Sequence, residues 1–200
     1  MEKETPINTE ESLVLIQKMI KTVQSDIEDD SFYFLLWGWS VFAACMVQFI
    51  LMSMESPNNA IGWVILMPLA GIVTWVYAKK QDKEKRVKTY IDELMGYVLI
   101  AFLASLFITL FFQAKLQLNT YPIVMLIYGV WLFVSGGALK FKPLIYGGVI
   151  NWIFAIGSFF LMFKMQLVAL AGAVLLGYII PGHMLKMRHN KQVSQNNQLS

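Results

Sequence analysis

The chain has 200 residues, enough for one domain, but 57% of them are hydrophobic and only 14% charged, against ~45–50% apolar residues in ordinary globular chains. That balance points away from a water-soluble fold, and a net charge of +3 with one short basic loop gives nucleic-acid binding no footing. The single cysteine, Cys45, has no intrachain disulfide partner and sits in an apolar run as a small packed residue.

The first 30 residues read as a polar tail rich in acids, without the basic start and apolar core of a removable signal peptide. Asn8 with Glu11 three positions later forms a capping-box pattern. Behind it Leu13, Ile16, Ile20, Val23 and Ile27 recur at helical spacing, so an amphipathic helix is expected over about 9–28. Its apolar stripe is a candidate partner surface. The tail carries eight acids and three bases, which suits a protein surface better than an anionic lipid surface. Docking on a partner subunit, or on the basic loop Lys79 to Lys88 of the same chain, is one expectation; lying in the membrane interface is the other.

From residue 31 to 185 the chain is a series of apolar windows. A helix crossing ~30 Å of hydrocarbon needs about 20 residues. Six windows approach this: 32–54, 61–78, 94–114, 121–139, 144–163 and 165–185. The expected fold is an all-α membrane protein, a six-helix transmembrane bundle with a cytoplasmic amphipathic helix before it and a polar C-terminal tail, 186–200, after it. Lys164 alone separates the last two windows, so five spans is the competing count. Pro68, inside the second window, is a candidate kink, whereas Pro122 and Pro143 stand where first-turn prolines are favoured.

Lysine and arginine near span ends stay on the cytoplasmic side. With six spans, fourteen basic residues fall on one side and only Lys115 and Lys164 on the other. Both termini are therefore expected in the cytoplasm. An even count of spans is favoured too, because losing one would place Lys186, Arg188 and Lys191 outside.

No Asp, Glu, Lys, Arg or His lies centrally in any window, so a proton-coupled relay has no visible carboxylate. His183 falls near the end of the last window, and His189 has no second ligand at metal-site spacing. No catalytic set, metal site or cofactor site is expected. The deep polar residues are Gln48 and Asn151. They either join helices by hydrogen bonds, worth only ~0.6 kcal/mol on average in membranes, or line a central cavity for a small or lipidic molecule. Trp131 and Trp152, with Tyr128, are either core wedges or walls of that cavity. Gly136-Gly137 and Gly147-Gly148 flank a hairpin that can bring backbones close, and Gly172, Gly177, Ala169 and Ala173 serve the last span likewise.

Leu36-Trp-Gly-Trp39 opens the first span and Lys142-Pro-Leu-Ile-Tyr-Gly-Gly148 the fifth. With the acidic tail, this layout resembles small, poorly characterised polytopic proteins of the bacterial inner membrane. The resemblance implies a multi-pass inner-membrane location and carries no chemistry. Two functions are expected: a non-enzymatic structural or regulatory subunit acting through protein partners or a homo-oligomer, and alternatively a small-molecule or lipid binding or transport protein. An enzyme ranks third, since no acid, base or metal set assembles.

Overall fold

The computed structural model describes residues 31–82, 90–116 and 119–198. The amphipathic tail with its stripe Leu13, Ile16, Ile20, Val23 and Ile27, and the part of the basic loop after Asp82, lie outside the described residues. The described fold is all-α. Its helices are α1 (Ser31–Ser53), α2 (Ile61–Asp82), α3 (Tyr90–Phe111), the single turn α4 (Gln113–Leu116), α5 (Thr120–Ala138), α6 (Lys142–Ser158), α7 (Phe163–Val174) and α8 (Ile180–Gln198). Between α7 and α8 the helix widens into one π-turn, Leu175–Ile179, without interruption.

Five helices among the described residues are long and apolar enough to cross a membrane: Ser31–Ser53, Ile61–Lys80, Glu93–Phe111, Thr120–Ala138 and the rod Phe163–Arg188. The chain is a multi-pass helical membrane protein, and its exposed surface is apolar, as contact with lipid requires. The remaining expected span differs most from its window. In place of 144–163, α6 has 17 residues, about 25 Å at 1.5 Å per residue. It ends at Ser158, and the connection to α7 is Phe159-Phe-Leu-Met162. Lys164 is therefore not the separator but a first-turn residue of α7. The turn is invisible to a hydropathy reading because all four of its residues are apolar.

Other boundaries shift for local reasons. α2 runs through Pro68 without a break; the proline lies on the exposed side, and its missing N–H leaves the Val64 carbonyl without its usual partner in the helix. Pro143 occupies the first turn of α6 and Pro122 that of α5. The segment after 185 is helical through Gln198 and continues the last span as α8.

Two helices end in the same way. After α1, Ser56 N–H bonds to the Leu51 carbonyl at 3.0 Å and Glu55 N–H to the Met52 carbonyl at 3.3 Å. After α5, Phe141 N–H bonds to Gly136 at 2.9 Å and Lys140 N–H to Gly137 at 3.2 Å. Both are Schellman caps. Glu55 (φ 54°) and Lys140 (φ 49°) occupy their left-handed positions, where glycine is usual.

Burial is uneven. About half of the α5 window and of the Phe163–Arg188 rod is buried, against 11% of α2 and 6% of α3. The core is made by α1, α5, α6 and the rod, around Val41, Cys45, Met125, Leu132, Leu144, Ala155, Leu167 and Leu170. α2 leans on α1, and α3 is held against this core by Phe102 and Leu106.

The α5–α6 pair is the tightest, and glycine makes it so. A side-chain carbon at Gly136 would stand 2.6 Å from Ile145 N, and one at Gly148 2.7 Å from Gly129 O. One at Gly129 would overlap the Trp152 indole. Of the four glycines expected to close this hairpin, Gly136 and Gly148 make a backbone contact enforced by missing side chains, whereas Gly137 meets nothing within 4 Å and Gly147 faces Gly177 of the π-turn.

Candidate functional site

Two internal polar centres emerge, at different depths. The first is Gln48, at the eighteenth of the 23 positions of α1 and so nearer the end of that helix than its middle. Its Oε1 accepts from Trp63 Nε1 and from the Tyr121 hydroxyl, each at 2.6 Å. Indole N–H can only donate, so the amide orientation is fixed by its partners. Three helix ends are joined at one atom. Tyr121 also tilts against Phe163 at 5.1 Å, which brings in α7, and Lys164 Nζ lies 5.2 Å from the centre of the Phe49 ring.

The second centre surrounds Asn151, at the tenth position of α6 and fully buried. Its Nδ2 donates to Gly147 O in the preceding turn at 2.9 Å and to Ala173 O across the interface at 3.4 Å. Both neighbours are carbonyls, so the nitrogen must face them. Asn151 Oδ1 accepts no hydrogen bond from the described residues. Ala173 stands just before the π-turn, where the widened helix disturbs the ordinary ladder of carbonyls. Gly147 and Gly177 let the two backbones touch: a side-chain carbon at Gly147 would overlap the Gly177 carbonyl oxygen.

The other candidates separate. Tyr128 meets Phe102 at 5.2 Å and Tyr178 at 5.9 Å. Trp131 packs on Phe102 at 5.1 Å. These rings fill the space between α3, α5 and the π-turn by direct contact. Trp152 lies elsewhere: its Nε1 donates to Leu126 O at 3.3 Å and its ring stacks on Phe133 at 5.4 Å. Tyr128 and Trp131 therefore share one cluster with Phe102 and Tyr178, Asn151 belongs to the glycine contact, and Trp152 lies against a different face of α5.

Sequence reasoning missed Gln166. It is buried in the first turn of α7, and its Nε2 donates to Leu161 O at 3.0 Å, stitching the apolar turn after α6. Tyr178 and Trp63 were also missed as partners. An amide four residues after an apolar loop is the one available signal for Gln166. Of the hydroxyls, Ser40, Ser105 and Thr109 bond to the preceding turn of their own helices, whereas Thr74 accepts from Trp37 Nε1 at 3.1 Å and ties α2 to α1.

Among the described residues no group of three His, Cys, Asp or Glu stands together as a metal site. Its hydrogen bonds join helices: the indoles of Trp37, Trp63 and Trp152 and the Tyr121 hydroxyl donate to a side chain or a main-chain carbonyl, while the buried oxygens Asn151 Oδ1 and Gln166 Oε1 accept no hydrogen bond from the described residues. Comparison with models of known protein families, with curated proteins and with solved structures finds no match in any of the three.

Proposed function

We propose that this protein is a non-enzymatic membrane subunit, structural or regulatory, that works by holding another membrane polypeptide against α2 and α3. The observation that carries this reading is the uneven burial. A helix with 6% of its span window buried, beside partners at about half, adds little to the stability of its own bundle. Its exposed Ile100, Leu103, Phe107, Ile108 and Phe111 offer a long apolar contact. The internal hydrogen bonds of Gln48 and Trp152 support the same reading, because those side chains are already engaged.

In this reading α6 is a sixth crossing and both termini face the cytoplasm. Seventeen residues is the lower limit for a spanning helix, and α6 runs antiparallel between α5 and the rod, both of which are long enough to cross. The distribution of fourteen basic residues against two supports the orientation. The acidic tail and the basic loop Lys79 to Lys88 would then be available to a partner on the cytoplasmic side.

Photo-crosslinkers placed at Phe107 and Ile100, followed by extraction in mild detergent and native mass spectrometry, test the proposal. A discrete protein adduct, a second copy or another chain, is the expected result. A monomer carrying only lipid or one small metabolite would overturn it in favour of a binding or transport protein. Cysteine accessibility at both ends of α6 tests the sixth crossing.

A further inference from the structure

We propose that the outer face of the α5–α6 hairpin seats one anionic phospholipid, its phosphate held at the turn by Lys140 and Lys142 and its acyl chains on the apolar stripes beside it. This rests on the reading that α6 lies in the bilayer next to α5.

The stripes come first. On α6 the exposed residues Tyr146, Val149, Ile153 and Ile156 recur at spacings of three, four and three, which is one helical face. On α5 the exposed residues are Val130, Phe133 and Val134. Trp152 stacks on Phe133, and on α6 it neighbours Val149 and Ile156. The two stripes therefore run side by side on the same side of the hairpin and converge on one turn.

That turn is cationic and open. Lys140 and Lys142 are exposed on either side of Phe141, which is buried and anchors the turn. Gly137 lies one turn before Lys140, and nothing stands within 4 Å of the place where its side chain would begin. A headgroup can thus approach the main chain between the stripe and the lysines.

The backbone supplies an independent sign. Lys140 adopts φ 49°, a conformation disfavoured for any residue with a side chain and natural to glycine. A cation stands where the fold alone would favour glycine, as an acid, Glu55, does at the matching cap of α1. Backbone held in a sparsely populated region is a reason to look for a function, and a lysine beside an apolar lipid-facing stripe recognises an anionic headgroup.

The test uses the full chain in mild detergent, titrated with an equimolar mixture of phosphatidylglycerol and phosphatidylcholine and read by native mass spectrometry. The native protein should retain phosphatidylglycerol preferentially. In K140Q/K142Q the preference should fall about tenfold, and K140G, which relieves the turn and keeps the fold, should show part of that fall. K79Q/K80Q removes as many cations from the end of α2 and should leave the preference unchanged. Equal retention of both lipids by the native protein, or an equal loss in K79Q/K80Q, would overturn the proposal. Thermal unfolding in phosphatidylcholine nanodiscs must be the same for K140Q/K142Q and the native chain; a large drop would reassign the lysines to folding. Labelling of Y146C by a membrane-impermeant maleimide distinguishes the two levels: ready labelling removes α6 from the bilayer, whereas protection with no lipid preference removes the lipid seat alone.

Discussion

Gly147 of α6 and Gly177 of the π-turn stand with their main chains in contact, so that a side-chain carbon on either one would meet the other's carbonyl group. On the second glycine such a carbon would also overlap the Asn151 amide nitrogen. Because the obstruction is backbone rather than a movable side chain, G147A and G177A should each lose about 3 kcal/mol, the upper part of the overpacking range. Gly71 and Gly96 have nothing within 4 Å, so alanine there should be neutral or mildly stabilising through helix propensity. Thermal unfolding in one detergent, comparing all four variants, measures the contrast. Equal effects in the two pairs would mean that the helix contact is not the source of the constraint.

Gln48 should behave as a shared acceptor. Q48M keeps the volume but leaves the Trp63 indole and the Tyr121 hydroxyl without their common partner, a loss of about 1–2 kcal/mol when the desolvation cost of orphaned donors is set against the weak average bond in membranes. Y121F should cost less, since it removes one donor and leaves the acceptor occupied by Trp63. The double-mutant cycle should give a coupling of roughly 0.5 kcal/mol or more. Strict additivity would show that the hydroxyl and the amide act separately.

How far the sequence reaches depends on what each feature is made of. Five of the six expected spans were legible because apolar windows of about 20 residues have one explanation in a membrane, and Gln48 and Asn151 stood out as amides within the apolar windows. Their partners did not, because Trp63 is 15 and Tyr121 is 73 positions from Gln48, and no local period links them. Trp131 and Trp152 looked equivalent by depth. They separate because Trp152 packs against Gly129 and Phe133, which lie on the far side of α5 from position 131 at 100° per residue. The end of α6 was hidden for the opposite reason: Phe159-Phe-Leu-Met162 carries no polar residue to mark a turn.

That unmarked turn makes Gln166 testable. Its side chain bonds to the Leu161 carbonyl, while Phe160 and Met162 project outward at 87% and 82% exposure. Q166M should free the turn at a cost of about 1 kcal/mol. Limited digestion with a protease that cuts after phenylalanine should then accelerate at Phe159 and Phe160, with cleavage elsewhere unchanged. An unaltered pattern would assign the order of the turn to the main-chain bonds from Phe160 to Gly157 and from Leu161 to Ser158.

Glu55 provides the converse case, a position where the native residue should be improvable. It holds the left-handed place of the Schellman cap after α1, in the loop opposite the Lys140 turn. A residue with a side chain is disfavoured there by about 1 kcal/mol, and glycine gives part of this back through its greater freedom in the unfolded chain. E55G should therefore gain roughly 0.5 kcal/mol, visible as a small rise in Tm. K140G should gain a similar amount in phosphatidylcholine, because its cap has the same two bonds. In phosphatidylglycerol the two should diverge: E55G keeps its gain, while K140G gives up a lipid contact and loses some or all of it. A parallel response of both variants in both lipids would leave the two caps equivalent and the lysine without a headgroup to hold.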